Sequence, residues 1–218
     1  MPAYYPAFID VKDRMCVVIG GGKFGEENVH KLLGYGAKVV VVSADITDGV
    51  RDLVDAGKIT WVRRDYEMGD LAEAFIAVAA TGDTSVSSEI AHEAEERNVL
   101  LNVVDVTRLC TFIAPAVARR GEVTVATSTG GASPALARKF REELTRSRIL
   151  EYADLAPLLS DARNELKSNS VTVDPDRWQK CLTEELLDAV QAGRVDEARQ
   201  ALMTDLLSEL PSTGAPSN

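Results

Sequence analysis

An apolar run, MCVVIG at 15–20, passes directly into three glycines spaced G-x-G-x-x-G, Gly20, Gly22 and Gly25, and then into the helix-forming segment EENVHKLLGYGA. An apolar run without alternation suits a strand buried on both faces of a parallel sheet. Parallel neighbours need crossover connections, most often helices. The glycines permit a tight turn and let backbone N–H groups approach a diphosphate at the positive end of a helix. The simpler alternative is a glycine-rich turn that only packs a helix on a strand. The strand–turn–helix context favours dinucleotide binding, with Gly20, Gly22, Lys23, Phe24 and Gly25 as candidate contacts.

The rest of the first half repeats the theme. AFIDV (7–11) reads as an edge strand and KVVVVSAD (38–45) as the second buried one. A dinucleotide fingerprint often ends that strand with an acid that holds ribose hydroxyls. Ser43, Ala44 and Asp45 stand there, and no arginine follows at once to take a 2′-phosphate, which favours NAD over NADP. A short helix (ITDGVRDLVDAG), a third strand (58–64), an acidic connector and a fourth strand (74–83) come next, with Thr81 at the fourth strand's carboxyl end. A helix over 84–98 and a strand over 99–105 close the run. This alternation predicts a Rossmann-like, doubly wound parallel sheet. Asp105 falls at the carboxyl end of the last strand, where open α/β sheets place ligands. An acid capping the next turn explains that position equally well.

Composition sets bounds. A chain of 218 residues, 45% hydrophobic, can hold one sizeable core plus a smaller appended domain. No apolar stretch reaches the roughly 18 residues of a membrane span, and MPAYYPAFID lacks the pattern of a signal peptide, so a cytoplasmic protein with no membrane partner is expected. The net charge of −10 argues against a nucleic-acid surface. Cys16, Cys110 and Cys181 suit neither a disulfide framework nor a metal site, and His30 and His92 lack ligand partners at helical spacing.

Residues 102–141 carry the densest signal: N-V-V-D (102–105), L-C-x-F (Leu109, Cys110, Phe112), P-A (Pro115, Ala116), R-G (Arg120, Gly121), then S-T-G-G-x-S-P-x-L-A-R-x-x-R from Ser128 to Arg141. This ordered set closely resembles the signature of the siroheme-synthase family, the precorrin-2 dehydrogenases, some of which also insert iron into sirohydrochlorin. The resemblance covers roughly 6–145. It implies hydride transfer from precorrin-2 to NAD, with Asp105 as general base and, in bifunctional members, Fe2+ as a further substrate. A separate metal-ligand set is not needed, because the macrocycle supplies four nitrogens. Precorrin-2 carries eight carboxylates, which makes Arg119, Arg120, Arg138 and Arg141 candidate anchors, with Ser128, Thr129, Gly130, Gly131 and Ser133 around a helix start. Family members often carry a basic pair where Glu26, Glu27 and Asn28 stand here, and a proline is common where Thr107 stands. The two acids are expected to point away from the phosphate site.

Beyond 147 the pattern is all helical, with Asp174-Pro175 and Gly193 as start and stop signals. The expected layout is an NAD-binding domain over 1–113, a small α+β dimerisation segment over 114–147, a C-terminal helical module over 148–210 and a disordered tail over 211–218. In the family the middle segment pairs subunits into a homodimer, for which strand 122–128 is suited, and the helical part covers the tetrapyrrole. A second reading comes from a different class. VIGGGKFG also resembles the nucleotide-sensing domains that regulate potassium transport, a reading that leaves Asp105 and the S-T-G-G segment without a role.

Overall fold

The computed structural model describes residues 4–208, which fall into two compact units: residues up to Ala114 together with Gly130–Ala132, and Pro115–Thr129 together with Ser133 onward. The expected tail at 211–218 lies outside the described residues.

The first unit runs β1 (Met15–Gly21), α1 (Lys23–Gly34), β2 (Lys38–Ile46), α2 (Asp48–Asp55), β3 (Thr60–Val62), β4 (Ile76–Ala79), α3 (Thr84–Arg97) and β5 (Leu100–Val103). The strands form one parallel sheet in the order β3-β2-β1-β4-β5. The apolar run of β1 explains its central place. Successive side chains on a strand point to opposite faces, so Cys16 and Val18 join Val29, Val41 and Val50 in one core, while Val17 and Ile19 join Ala77, Ile90 and Leu101 in the other. The order reverses between β1 and β4, and such a switch point opens a crevice at the carboxyl ends of the strands.

One sequence expectation for this unit is corrected. AFIDV forms no strand: Phe8 is 77% exposed, and only Val11 enters the core. A strand needs a ladder partner, and the segment instead ends in a local turn in which Lys12 N–H donates to Asp10 Oδ1 (2.9 Å). The acidic connector between β3 and β4, residues 63–75, contains no helix, as its sequence suggests. This segment is clasped instead. Fully buried Glu93, on α3, accepts from Tyr66 Oη (2.7 Å), Gly69 N–H (3.0 Å), Leu71 N–H (3.2 Å) and Arg97 Nε (2.7 Å). Arg64 grips Asp70 with two bonds of 2.8 and 2.7 Å.

The second unit begins with an antiparallel hairpin, β6 (Ala116–Arg120) and β7 (Val123–Thr127). Arg119 and Arg120 end β6, and the turn of the hairpin lies at Gly121 (φ 55°) and Glu122. Helices α4 (Pro134–Arg146), α5 (Arg148–Glu151), α6 (Ala156–Ser168), α7 (Pro175–Cys181), α8 (Glu184–Gln191) and α9 (Val195–Leu207) follow. Leu155, Leu158, Ala162, Leu187, Leu202 and Leu206 form their common core. Arg120 ties the hairpin to these helices through two bonds to Asp154, of 2.7 and 2.6 Å. Among the described residues no helix is long and apolar enough to cross a membrane.

Candidate active site

The glycine turn divides its labour. Gly20 has φ 102°, and a Cβ there would lie 2.4 Å from the Ala80 carbonyl oxygen, so only glycine makes this turn against β4. A Cβ on Gly25 would lie 2.0 Å from the carbonyl oxygen of Gly20, which is how closely α1 is drawn onto β1. Gly22 is the opposite case. A Cβ there would meet nothing within 4 Å, and Gly22 caps α1 without any side-chain hydrogen bond. The first-turn N–H groups of α1 thus face open space with no side chain in the way, the arrangement that accepts phosphate oxygens. The residues present fit a dinucleotide diphosphate.

At the exit of β2, Gly21 N–H donates to Ser43 Oγ (2.9 Å), and that hydroxyl donates to the carbonyl of Asp45 (2.6 Å). Trp61 Nε1 donates to the Ser43 carbonyl (2.9 Å). Ser43 is thereby a staple between the glycine turn and β2, while Ala44 and Asp45 are exposed beside it. Thr81 Oγ1 accepts from Asp83 N–H (3.1 Å) and lies 3.2 Å from Ser87 Oγ, so its hydroxyl belongs to the turn that starts α3. Lys23 is exposed, and Glu27 is exposed on α1. The Glu26 carboxylate lies against Gly49 in the first turn of α2, where the helix dipole favours an anion.

A pocket of about 240 Å³ is lined by Phe24 from the glycine turn, by Ala79, Ala80 and Gly82 after β4, and by Val104, Asp105 and Val106 after β5. Asp105 is exposed and has φ 61°, a left-handed conformation that aspartate tolerates better than most residues. Its carboxylate makes no hydrogen bond to the described residues.

The chain after Asp105 doubles back along the outer edge of β5. Val103 N–H donates to Cys110 Sγ (3.2 Å), Leu101 N–H to Thr111 Oγ1 (2.7 Å), Thr111 N–H to the Leu101 carbonyl (2.9 Å) and Asn102 Nδ2 to the Phe112 carbonyl (3.2 Å). These contacts replace a sixth strand, and burial pushes the Cys110 thiol pKa up from its ordinary value. Sequence reasoning gave Cys110 and Thr111 no such role. Two small polar side chains spaced for an unpaired strand edge were the available signal.

Gly131 (φ 88°) lies against this turn, since a Cβ there would sit 3.2 Å from Thr107 Cγ2. Gly131 and the Asp105 turn are thus brought together within the first unit.

Comparison with known proteins agrees with this geometry. Residues 7–116, half the chain, match the family described as "Putative NAD(P)-binding", and residues 120–147 match "Sirohaem biosynthesis protein central". The chain belongs to the siroheme-synthase N-terminal family. The siroheme synthase of Nitrosococcus oceani is 32% identical over 201 residues, covering 91% of this chain and 43% of that protein. That of Pseudoalteromonas atlantica is 32% identical over 213 residues, covering 97% and 46%. The chain thus spans less than half the length of these curated relatives. A solved structure of "SirC, precorrin-2 dehydrogenase" aligns with TM-score 0.71 and 25% identity over 91% of this chain and 98% of that one.

In this siroheme-synthase family member, the candidate anchors of the second unit are largely occupied by its own carboxylates. Arg120 is held by Asp154, Arg138 Nε binds Glu142 (2.8 Å), and Arg141 lies 3.5 Å from the same Glu142. The guanidinium of Arg138 beside Glu142 holds that carboxyl below the usual range, and Arg120 does the same to Asp154. Arg119 is exposed and donates to the Gly121 carbonyl (3.2 Å). Thr129 Oγ1 accepts from Ser133 N–H (3.0 Å), and Ser133 Oγ caps α4 by accepting from Leu136 N–H (3.2 Å). Ser128 is exposed, and Gly130 takes φ 63°. Among the described residues no cluster of His, Cys, Asp and Glu could hold a metal ion.

Proposed function

We propose that this chain dehydrogenates precorrin-2 to sirohydrochlorin in siroheme biosynthesis, with NAD⁺ as hydride acceptor and Asp105 as general base. The observation that carries the reading is that Asp105 and the glycine-turn residue Phe24 line one pocket at the carboxyl ends of the strands. The likeness to a precorrin-2 dehydrogenase over nearly its whole length supports the substrate.

NAD⁺, when bound, accepts the hydride. The chain's part is the rest. The open first turn of α1 would hold the diphosphate, the β2 exit at Ala44 and Asp45 would receive the ribose, and the Asp105 carboxylate, without a hydrogen-bond donor among the described residues, takes the proton released as the ring is oxidised. No arginine directly follows β2 in the sequence, and Asp45 stands at its exit, which favours NAD over its 2′-phosphorylated form. The same carboxylate can accept pyrrole protons when Fe2+ enters the product, so chelation needs no additional protein ligand. A second copy of the chain is proposed to pair along the hairpin, whose two strands alone leave open edges.

The test is NADH formation from NAD⁺ and enzymatically generated precorrin-2, first with a metal chelator present and then with Fe2+ added. Turnover without metal supports the dehydrogenase, and siroheme on addition of Fe2+ supports chelation. A folded, NAD-binding protein that never turns over would overturn the reading in favour of a nucleotide-sensing module. A monomeric mass in solution would remove the pairing.

A further inference from the structure

The short 3-10 turn Thr107–Leu109 follows Asp105 directly, and its side chains are sorted by the core. Val106, Leu109 and Cys110 pack inward against the cluster around Ile90 and Leu101, and Thr107 faces Gly131. Arg108 is left exposed. Among the described residues it makes neither an ion pair nor a hydrogen bond, although this acidic chain pairs Arg120, Arg138 and Arg141 with its own carboxylates. Its backbone is not loose. Leu109 N–H donates to the Val106 carbonyl (3.0 Å) and Cys110 N–H to that of Thr107 (3.1 Å), while Cys110 and Thr111 fasten the return to β5. The Cα of Arg108 is therefore held three residues from that of the proposed base, at most about 11 Å away along the chain.

We infer that Arg108 is a substrate-binding residue that grips a carboxylate on the rim of the macrocycle, so that the edge to be oxidised is presented to Asp105. The inference rests on the function proposed above. An arginine already held by an internal carboxylate must give up that partner before it can bind a substrate acid. Arg108 has no such partner among the described residues and can offer two parallel N–H donors to one carboxylate.

The test compares wild type with Arg108→Ala, Arg108→Lys and, as a control for net charge, Arg163→Ala on an exposed helical surface. Steady-state rates are measured against precorrin-2, and binding against a stable octacarboxylate porphyrin is followed by fluorescence. Arg108→Ala is expected to raise the KM for precorrin-2 about tenfold, with a smaller change in kcat and none in NAD⁺ binding, while Arg108→Lys recovers part of the loss and Arg163→Ala matches wild type. An unchanged KM and porphyrin affinity in Arg108→Ala, or equal losses in Arg163→Ala, would overturn the assignment. If wild type binds the porphyrin through Arg108 but forms no NADH, the carboxylate anchor stands and the dehydrogenase reading falls.

Discussion

The N–H of Gly21 and the hydroxyl of Ser43 lie 2.9 Å apart and join the glycine turn to the exit of β2. The same hydroxyl donates to the Asp45 carbonyl, so one side chain fixes both walls of the proposed diphosphate and ribose site. Ser43→Ala leaves a half-buried N–H without its partner, at a cost of about 1–3 kcal/mol. The variant should unfold at lower urea and bind NAD⁺ several times more weakly. Equal urea midpoints would remove the staple.

Asp105→Asn keeps a residue that tolerates φ 61° and removes only the base. NADH formation should fall about 100-fold or more, while NAD⁺ affinity and the far-UV spectrum stay as in wild type. Retained turnover would show that another group takes the proton.

Two glycine variants should separate binding from folding. Gly22→Ala places a methyl group in open space above the first turn of α1 and should weaken NAD⁺ binding about tenfold, with little change in thermal stability. Gly25→Ala forces a methyl group to 2.0 Å from a carbonyl oxygen and should cost about 2 kcal/mol or more. Calorimetric unfolding beside a nucleotide titration reads both, and a reversal of the two phenotypes would contradict the division of labour.

Glu93→Ala strips four hydrogen bonds from one buried carboxylate and leaves Tyr66 Oη and Arg97 without their acceptor. A loss of roughly 3–5 kcal/mol is expected, the scale for breaking a buried charged network from one side. Proteolysis should then cut first within 63–75. The Tyr66 hydroxyl pKa, raised by burial and by Glu93, should return toward the ordinary tyrosine value in the variant's absorbance titration.

Arg64 holds the Asp70 carboxyl below its usual pKa. The stability this contributes is present above the unfolded pKa of about 3.9 and is lost as pH falls through the lower folded value. Asp70→Asn should therefore be less stable than wild type at neutral pH, and the gap should close in strong acid. A gap independent of pH would assign the loss to packing instead.

The strands of the first unit were legible because MCVVIG and KVVVVS are apolar without alternation, and Gly20, Gly22 and Gly25 mark the turn between them. What escaped depended on distant partners. Nothing in DYEMGDLAEA says that Glu93 will hold it, because that contact is written across more than twenty residues. AVARR becomes a strand only because Val117 and Ala118 find Ala126 and Val125 across the hairpin. AFIDV has the composition of a strand but forms no ladder. The Asp105 turn was legible by its motif, whereas its supports were not, since Cys110 and Thr111 act through atoms that only the returning chain brings to β5.

The clasp on residues 63–75 also sets an order of assembly. This segment has neither helix nor ladder of its own, and its anchor lies 22 to 27 positions downstream of the groups it holds. A nascent chain that has emerged only as far as β4 has the Arg64–Asp70 pair but lacks the carboxylate that fastens Tyr66, Gly69 and Leu71. The connection from β3 to β4 is thus completed only when α3 emerges and docks, and a truncation placed before Glu93 should leave residues 63–75 open to proteolysis.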